Sequence, residues 1–206
     1  MSLDENVNPY ITLTIYQIKG KNIYQIDEIC LKHPNNTVKD LAISFKTKYS
    51  KHNSKIYIYG DATSKKQDTK IEKGSNFFTL FKKYINFFDV VLRVPKRNPS
   101  VSVRGNFINE VLGSNYAGIN VLIDNNCFYS IDDLRFTKEA SDGGKFKQKV
   151  KDVRSGIIYE KYGHTSDTFD YMICKAFDTE FIDFQNRYSD YSEENGVNNP
   201  LLDGFC

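Results

Sequence analysis

Residues 11–31 read ITLTIYQIKGKNIYQIDEICL, and this stretch decides the fold class. From Ile11 to Ile18 polar residues alternate with aliphatic and aromatic ones, the period of a half-buried strand. Lys19-Gly20-Lys21-Asn22 is turn chemistry, and Ile23 to Leu31 resumes the alternation. Two such runs across a Gly-containing turn predict an antiparallel hairpin. Helix–strand alternation follows it. After Asn35-Asn36-Thr37, Val38 to Tyr49 places Val38, Leu41, Ala42, Phe45 and Tyr49 at helical spacing. Lys55 to Tyr59 predicts a strand, Asn76 to Phe88 a helix and Val90 to Val94 a strand. Val101 to Leu112 predicts a helix, Ile119 to Ile123 a strand and Ile131 to Glu139 a helix. Antiparallel strands followed by alternation predict a mixed central sheet, parallel in part, with helices on both faces.

Two further segments complete the expectation. Lys145 to Val153 and Ile157 to Tyr162, flanking Arg154-Ser155-Gly156, predict an auxiliary β-hairpin. A last helix is expected from about Asp167, capped by Thr165 or Ser166, to about Tyr188. Residues 1–188 are then one domain, and residues 189–206, acidic and rich in Asn, a loose tail.

Composition limits the chemistry. The 206 residues carry a net charge of only +2, so any nucleic-acid role must come from local clustering of charge. Cys30, Cys127, Cys174 and Cys206 are scattered without a CxxC pair, which argues against zinc and for reduced thiols in a cytoplasm. None of the three histidines has a partner at metal-ligand spacing. No P-loop, GxSxG or GxGxxG is present, and no apolar run reaches the roughly 18 residues of a membrane span.

What remains is acids at strand and helix ends. Asp167 opens the last helix, which is apolar on most sides and therefore buried in protein. The helix N-terminus eases a carboxylate by about 0.3–1 kcal/mol, whereas burying an ionised one costs several. Either a basic side chain or a cation must therefore meet Asp167. Asp61 follows the strand ending at Tyr59-Gly60, where ligands gather in open α/β sheets, although an Asx-turn acid reads the same way. Asp124 also ends a strand, but Asn125-Asn126 after it is turn chemistry. Asp4 precedes the first long strand in a polar segment that reads equally as a frayed terminus. His164 fits either a general base or a structural histidine beside a helix cap. Lys145, Lys147, Lys149 and Lys151 alternate, so one strand would present all four on one face, either as a solvated edge or toward phosphate.

Four stretches, in order, resemble the nuclease domain of tailed-phage terminase large subunits, a ribonuclease-H-like family. Asp4-Glu5-Asn6-Val7-Asn8-Pro9-Tyr10-Ile11-Thr12 is similar to its acid-aromatic-Asn-x-x-Pro segment, with Glu5 in place of the aromatic. Tyr24-Gln25-Ile26-Asp27-Glu28-Ile29 is similar to its second hairpin strand, and Ile56-Tyr57-Ile58-Tyr59-Gly60-Asp61 to its middle strand and second acid. Gly163 to Tyr171 resembles its His-x-x-Asp-Ala-x-x-Tyr box. The resemblance implies that Asp4, Asp61 and Asp167 are metal-binding, catalytic carboxylates for two Mg²⁺ or Mn²⁺ ions about 3.5–4 Å apart. Asp170, His164 and Asp124 would support them, and the lysine hairpin would approach double-stranded DNA. It implies a metal-dependent endonuclease that cuts phage DNA during packaging, in the cytoplasm of an infected or lysogenic bacterium. Its partners there would be an ATPase motor, a portal and a small terminase, with no membrane. A resolvase- or transposase-type nuclease, or a non-catalytic DNA- or portal-binding remnant, are the alternatives. Only three residues precede Asp4 where the family has a full central strand, so the expectation is a gap in the sheet and a poorly held Asp4. The chain would be a nuclease domain, excised or encoded separately, without its ATPase motor. With two further acids in order and no dedicated basic partner evident, a cation is the expected answer to Asp167.

Overall fold

A computed structural model describes residues 1–6, 8–66, 75–141, 143–153 and 156–195, with side chains as far as 188. Val7, the lysine-rich loop at 67–74, most of the Arg154-Ser155-Gly156 turn and the tail from 196 lie outside the described residues.

The alternation in residues 11–31 becomes β2 (Ile11–Lys19) and β3 (Asn22–Leu31), antiparallel, with a bulge between Ile15 and Tyr16. Before them lies β1 (Ser2–Asp4), after them β4 (Ile56–Gly60), β5 (Val90–Leu92) and β6 (Asn120–Ile123). The six form one sheet in the order β5-β4-β1-β2-β3-β6. β1 runs antiparallel to β2 and parallel to β4, while β4–β5 and β3–β6 are parallel pairs. This is the expected mixed central sheet, parallel in part. The expected gap is absent. Three residues suffice because β1 is paired on both sides, with Leu3 opposite Leu13 and Gly60, so its backbone groups are satisfied.

Helices cover both faces. On one, α1 (Val38–Lys48) and α2 (Phe77–Tyr84) bury Leu41, Phe45, Phe78 and Phe81 against Leu3, Leu13 and Ile58. Thr37 and Asp40 close a capping box on α1. On the other, α3 (Val101–Ser114), α5 (His164–Ala176) and α6 (Asp178–Asn195) gather Phe107, Phe169, Met172, Ile173 and Phe181. α4 (Phe128–Phe136) starts three residues before the expected Ile131. Its first turn is held by Glu28, whose carboxylate accepts from the Tyr129 and Ser130 amides at 2.7 and 2.9 Å.

Two boundaries differ from expectation in ways that matter for the site. The last helix is two helices broken at Phe177, and the first begins at His164, after Gly163 at φ 113°. Neither Thr165 nor Ser166 caps it; both lie in its first turn, capped from α4 as described below. The auxiliary hairpin is shorter than expected: β7 (Lys149–Lys151) pairs with β8 (Ile158–Glu160). Lys145 and Lys147 precede that strand, so the four lysines do not share one strand face. No helix among the described residues is long and apolar enough to cross a membrane.

Candidate active site

The parallel pairing of β1 with β4 brings the C-terminal ends of two neighbouring strands together, and each end carries an acid: Asp4 on β1 and Asp61 just after β4. Gly60 allows this approach. A Cβ there would stand 2.7 Å from the Leu3 carbonyl oxygen and 2.7 Å from a ring carbon of Phe78. α5 lies across β1, β2 and β4, and Thr14 Oγ1 donates to Thr168 Oγ1 at 2.8 Å to set its register on the sheet. Asp167, Asp170 and Tyr171 then share one side of α5, at spacings of three and four residues.

The start of α5 is fixed by Asp133 of α4, a buried acid that sequence reading did not single out. Its Oδ2 accepts from the Thr165 amide at 2.8 Å, the Thr165 hydroxyl at 2.7 Å and the Ser166 amide at 3.2 Å. A carboxylate at the positive end of the helix satisfies donors that have no intrahelical partner.

Asp4 is only 7% exposed. Its Oδ2 accepts from Asn6 Nδ2 at 2.5 Å and lies 3.9 Å from His164 Nδ1. Burial pushes its carboxyl up to about 7, the charges of Asp167 and Asp61 push the same way, and the Asn6 hydrogen bond opposes them. The charges of Asp61 and Asp167 thus both act on Asp4 at the sheet edge. Asp61 is half-buried. Burial alone would raise its carboxyl, but hydrogen bonds from Asn98, Thr63 and Tyr171 outweigh that and hold it below the usual range. Asp61 Oδ1 accepts from Asn98 Nδ2 at 2.5 Å and the Thr63 amide at 2.6 Å, and Oδ2 from the Tyr171 hydroxyl at 3.3 Å.

Asp167 does have a basic partner, contrary to expectation. Lys145 Nζ donates to its Oδ1 at 2.8 Å and to Ser166 Oγ at 3.1 Å, and Lys147 Nζ stands 3.8 Å from its Oδ2. Burial would raise the Asp167 carboxyl, yet Lys145, Lys147 and Arg104 outweigh it and the acid is held low. Lys145 also meets Asp170 Oδ2 at 2.8 Å, as an ion pair rather than an aligned hydrogen bond. Arg104, itself buried, approaches the same oxygen at 3.9 Å and lies over the Tyr171 ring, 4.7 Å from its centroid. Burial nonetheless dominates at Asp170, whose carboxyl is raised.

The supporting candidates separate. His164 is buried with both nitrogens engaged: Nδ1 lies 3.1 Å from Asn6 Nδ2 and Nε2 lies 2.8 Å from the Glu160 carbonyl. Held between the Asn6 amide and the Glu160 carbonyl, the ring orients Asn6, and through it Asp4. Asp124 is exposed at the end of β6, on the sheet edge beyond β3, where its Oδ1 accepts from the Asn126 amide at 2.9 Å. Lys149 and Lys151 are exposed on β7. Arg104, Asn98 and Asp133 are members of the site that the sequence reading did not name, and Tyr171 was named only as the end of the box, without a role. Tyr171 and Asp133 carry the clearest retrospective signal: one lies a helical turn past Asp167, the other is an acid in an otherwise amphipathic helix.

As hard oxygen donors, Asp4 and Asp61 fit a divalent cation, and the like-charge strain at Asp4 is what a cation would relieve. Among the described residues, however, no three His, Cys, Asp or Glu side chains are placed to hold one. A cleft of about 150 Å³ lined by Asp133, Lys145, Ser166 and Asp170 adjoins the acids. A larger concavity, bordered by Tyr24, Tyr57 and Arg93, includes none of them.

One solved structure is similar in fold. It is the g2p large terminase nuclease domain of bacteriophage SPP1, crystallised with bound Mn, at 18% identity and a TM-score of 0.45 over 82% of this chain and 81% of that one. No protein-family model and no curated protein matches the chain.

Proposed function

We propose that the chain is a divalent-cation-dependent endonuclease acting on double-stranded DNA, in the manner of a phage packaging nuclease. The observation that carries the reading is the convergence of Asp4 and Asp61 on adjacent parallel strand ends, with Asp167 of α5 near enough for its charge to act on Asp4. Asp4 and Asp61 would hold the ion, with Asp167 behind them. The ion would supply Lewis-acid activation of water and neutralisation of the scissile phosphate. The protein does the rest. Asn6, fixed by His164, aims Asp4, while Asn98 and the Thr63 amide fix Asp61 in its ionised form. Tyr171 ties Asp61 to α5. Lys147, 42% exposed and paired with Glu160 at 2.7 Å, stands at the entrance where phosphate would arrive. Lys149 and Lys151 extend that approach along the hairpin. A motor ATPase, portal and small terminase would be its partners in a bacterial cytoplasm.

Supercoiled plasmid incubated with Mn²⁺ should be nicked by the wild type. Asp61→Ala should lose at least about 10³-fold in rate, the scale of removing a main electrostatic contributor to a hydrolytic transition state. Asp61→Ala/Asp167→Ala should be inactive, and cutting by that double variant would refute the assignment.

One observation favours a second reading. A basic side chain already satisfies Asp167, as a non-catalytic DNA- or portal-binding domain would require. DNA binding without any Mn²⁺-dependent nicking would select that reading.

A further inference from the structure

We infer that the Lys145 ammonium takes the place of a second metal ion, so that the site accepts one divalent cation, on Asp4 and Asp61, instead of two. The inference rests on the metal-dependent reading above and departs from the two-ion arrangement that the resemblance implies.

Lys145 is built into the site. Its ammonium meets three oxygens: it donates to Asp167 Oδ1 at 2.8 Å and to Ser166 Oγ at 3.1 Å, and it ion-pairs with Asp170 Oδ2 at 2.8 Å. The side chain is only 13% exposed, against 16% for Asp167 and 2% for Asp170. Its backbone is held too: Lys145 bridges Glu139, and the next residue, Phe146, donates its amide to the Lys138 carbonyl at 2.7 Å. A surface lysine visiting an acid has none of these restraints.

The two halves of the acid cluster are also treated differently. Both oxygens of Asp167 face cations, Oδ1 toward Lys145 and Oδ2 toward Lys147. Asp170 lies between Lys145 and Arg104. Asp4 and Asp61 instead take their hydrogen bonds from the neutral donors Asn6, Asn98, Thr63 and Tyr171. An incoming cation therefore finds uncompensated carboxylate at Asp4 and Asp61, and compensated carboxylate at Asp167.

Mn²⁺ binding to the metal-free protein, followed by calorimetry and by the loss of the free-ion electron paramagnetic resonance signal, decides the matter without reference to cutting. The expected result is one ion per wild-type chain and two per Lys145→Met chain. Asp61→Asn should lose the ion, whereas Asp167→Asn should keep it with a Kd weakened by no more than about 100-fold, as for a residue acting from behind the ligands. Two ions on the wild type, or one on a folded Lys145→Met, overturn the inference and leave metal-dependent cleavage standing. No ion on the wild type overturns the metal-dependent reading itself. If Lys145→Met does not fold, the two Asn variants decide alone: loss of the ion from folded Asp167→Asn overturns the inference.

Discussion

Asp4 is held between opposing demands. Its strand position and the flanking β2 and β4 bury it, while Asp167 and Asp61 bring negative charge toward it. In the metal-free protein the carboxyl therefore keeps its proton up to about pH 7, whereas in the unfolded chain it loses it near 3.8. The unfolded state is then the first to release a proton, so stability falls as pH rises from about 4 to about 7. Thermal melts in chelator at about pH 4.5 and 7.5 should show this loss in the wild type and a smaller one in Asp4→Asn. Equal slopes for the two proteins would contradict it. Asp167 was legible as a buried helix-opening acid, but its partner was not. Lys145 is 22 residues away and read in sequence as one of an alternating row.

The start of α5 shows what an element requires beyond its own residues. Gly163 opens it without a side-chain cap, and Asp133 reaches across from α4 to take three hydrogen bonds. Asp133→Ala should cost about 1–3 kcal/mol by leaving buried donors unmatched, and hence lower Tm by several degrees in a melt at fixed pH. Asp133→Asn, which keeps an acceptor, should lose less; equal loss would deny the hydrogen bonds their role. Local pattern found the elements it could reach. The Thr37–Asp40 capping box of α1 and the β2–β3 hairpin are written in adjacent residues. β1 is not, because three residues carry no period, and Ser2–Asp4 is a strand only through its two neighbours. The break at Phe177 was missed for a related reason: apolar spacing continues across it, from Met172 and Ile173 to Phe181 and Phe184 in the same core.

Across the whole molecule, charge is nearly balanced at +2, so the DNA attraction proposed for this chain would have to be local. Lys149 and Lys151 on β7 are the exposed part of the lysine row, while Lys145 and Lys147 are partly neutralised by the acids. Lys149→Ala/Lys151→Ala should weaken binding of any duplex alike and flatten the dependence of log K on log salt by up to about 2, roughly 0.9 for each phosphate that a lysine no longer neutralises. A fluorescence-anisotropy titration at several salt concentrations measures this, and an unchanged slope would remove the hairpin from the DNA path.

Sequence alone determined the periodic parts of this protein: the hairpin at residues 11–31, the helix–strand alternation after it, and the placing of Asp61 and Asp167 at element ends. Those features depend on neighbours within a turn or a pleat, and residue order encodes them directly. Tertiary structure decided whether β1 exists, which acids stand together, and which of them already holds a cation. Strand pairing from Asp4 to Thr12 and from Leu3 to the end of β4, the reach of Asp133 to α5 and the ion pair from Lys145 to Asp167 all join separate segments. Burial sets the energy of such contacts, and no segment is buried until the others have folded around it.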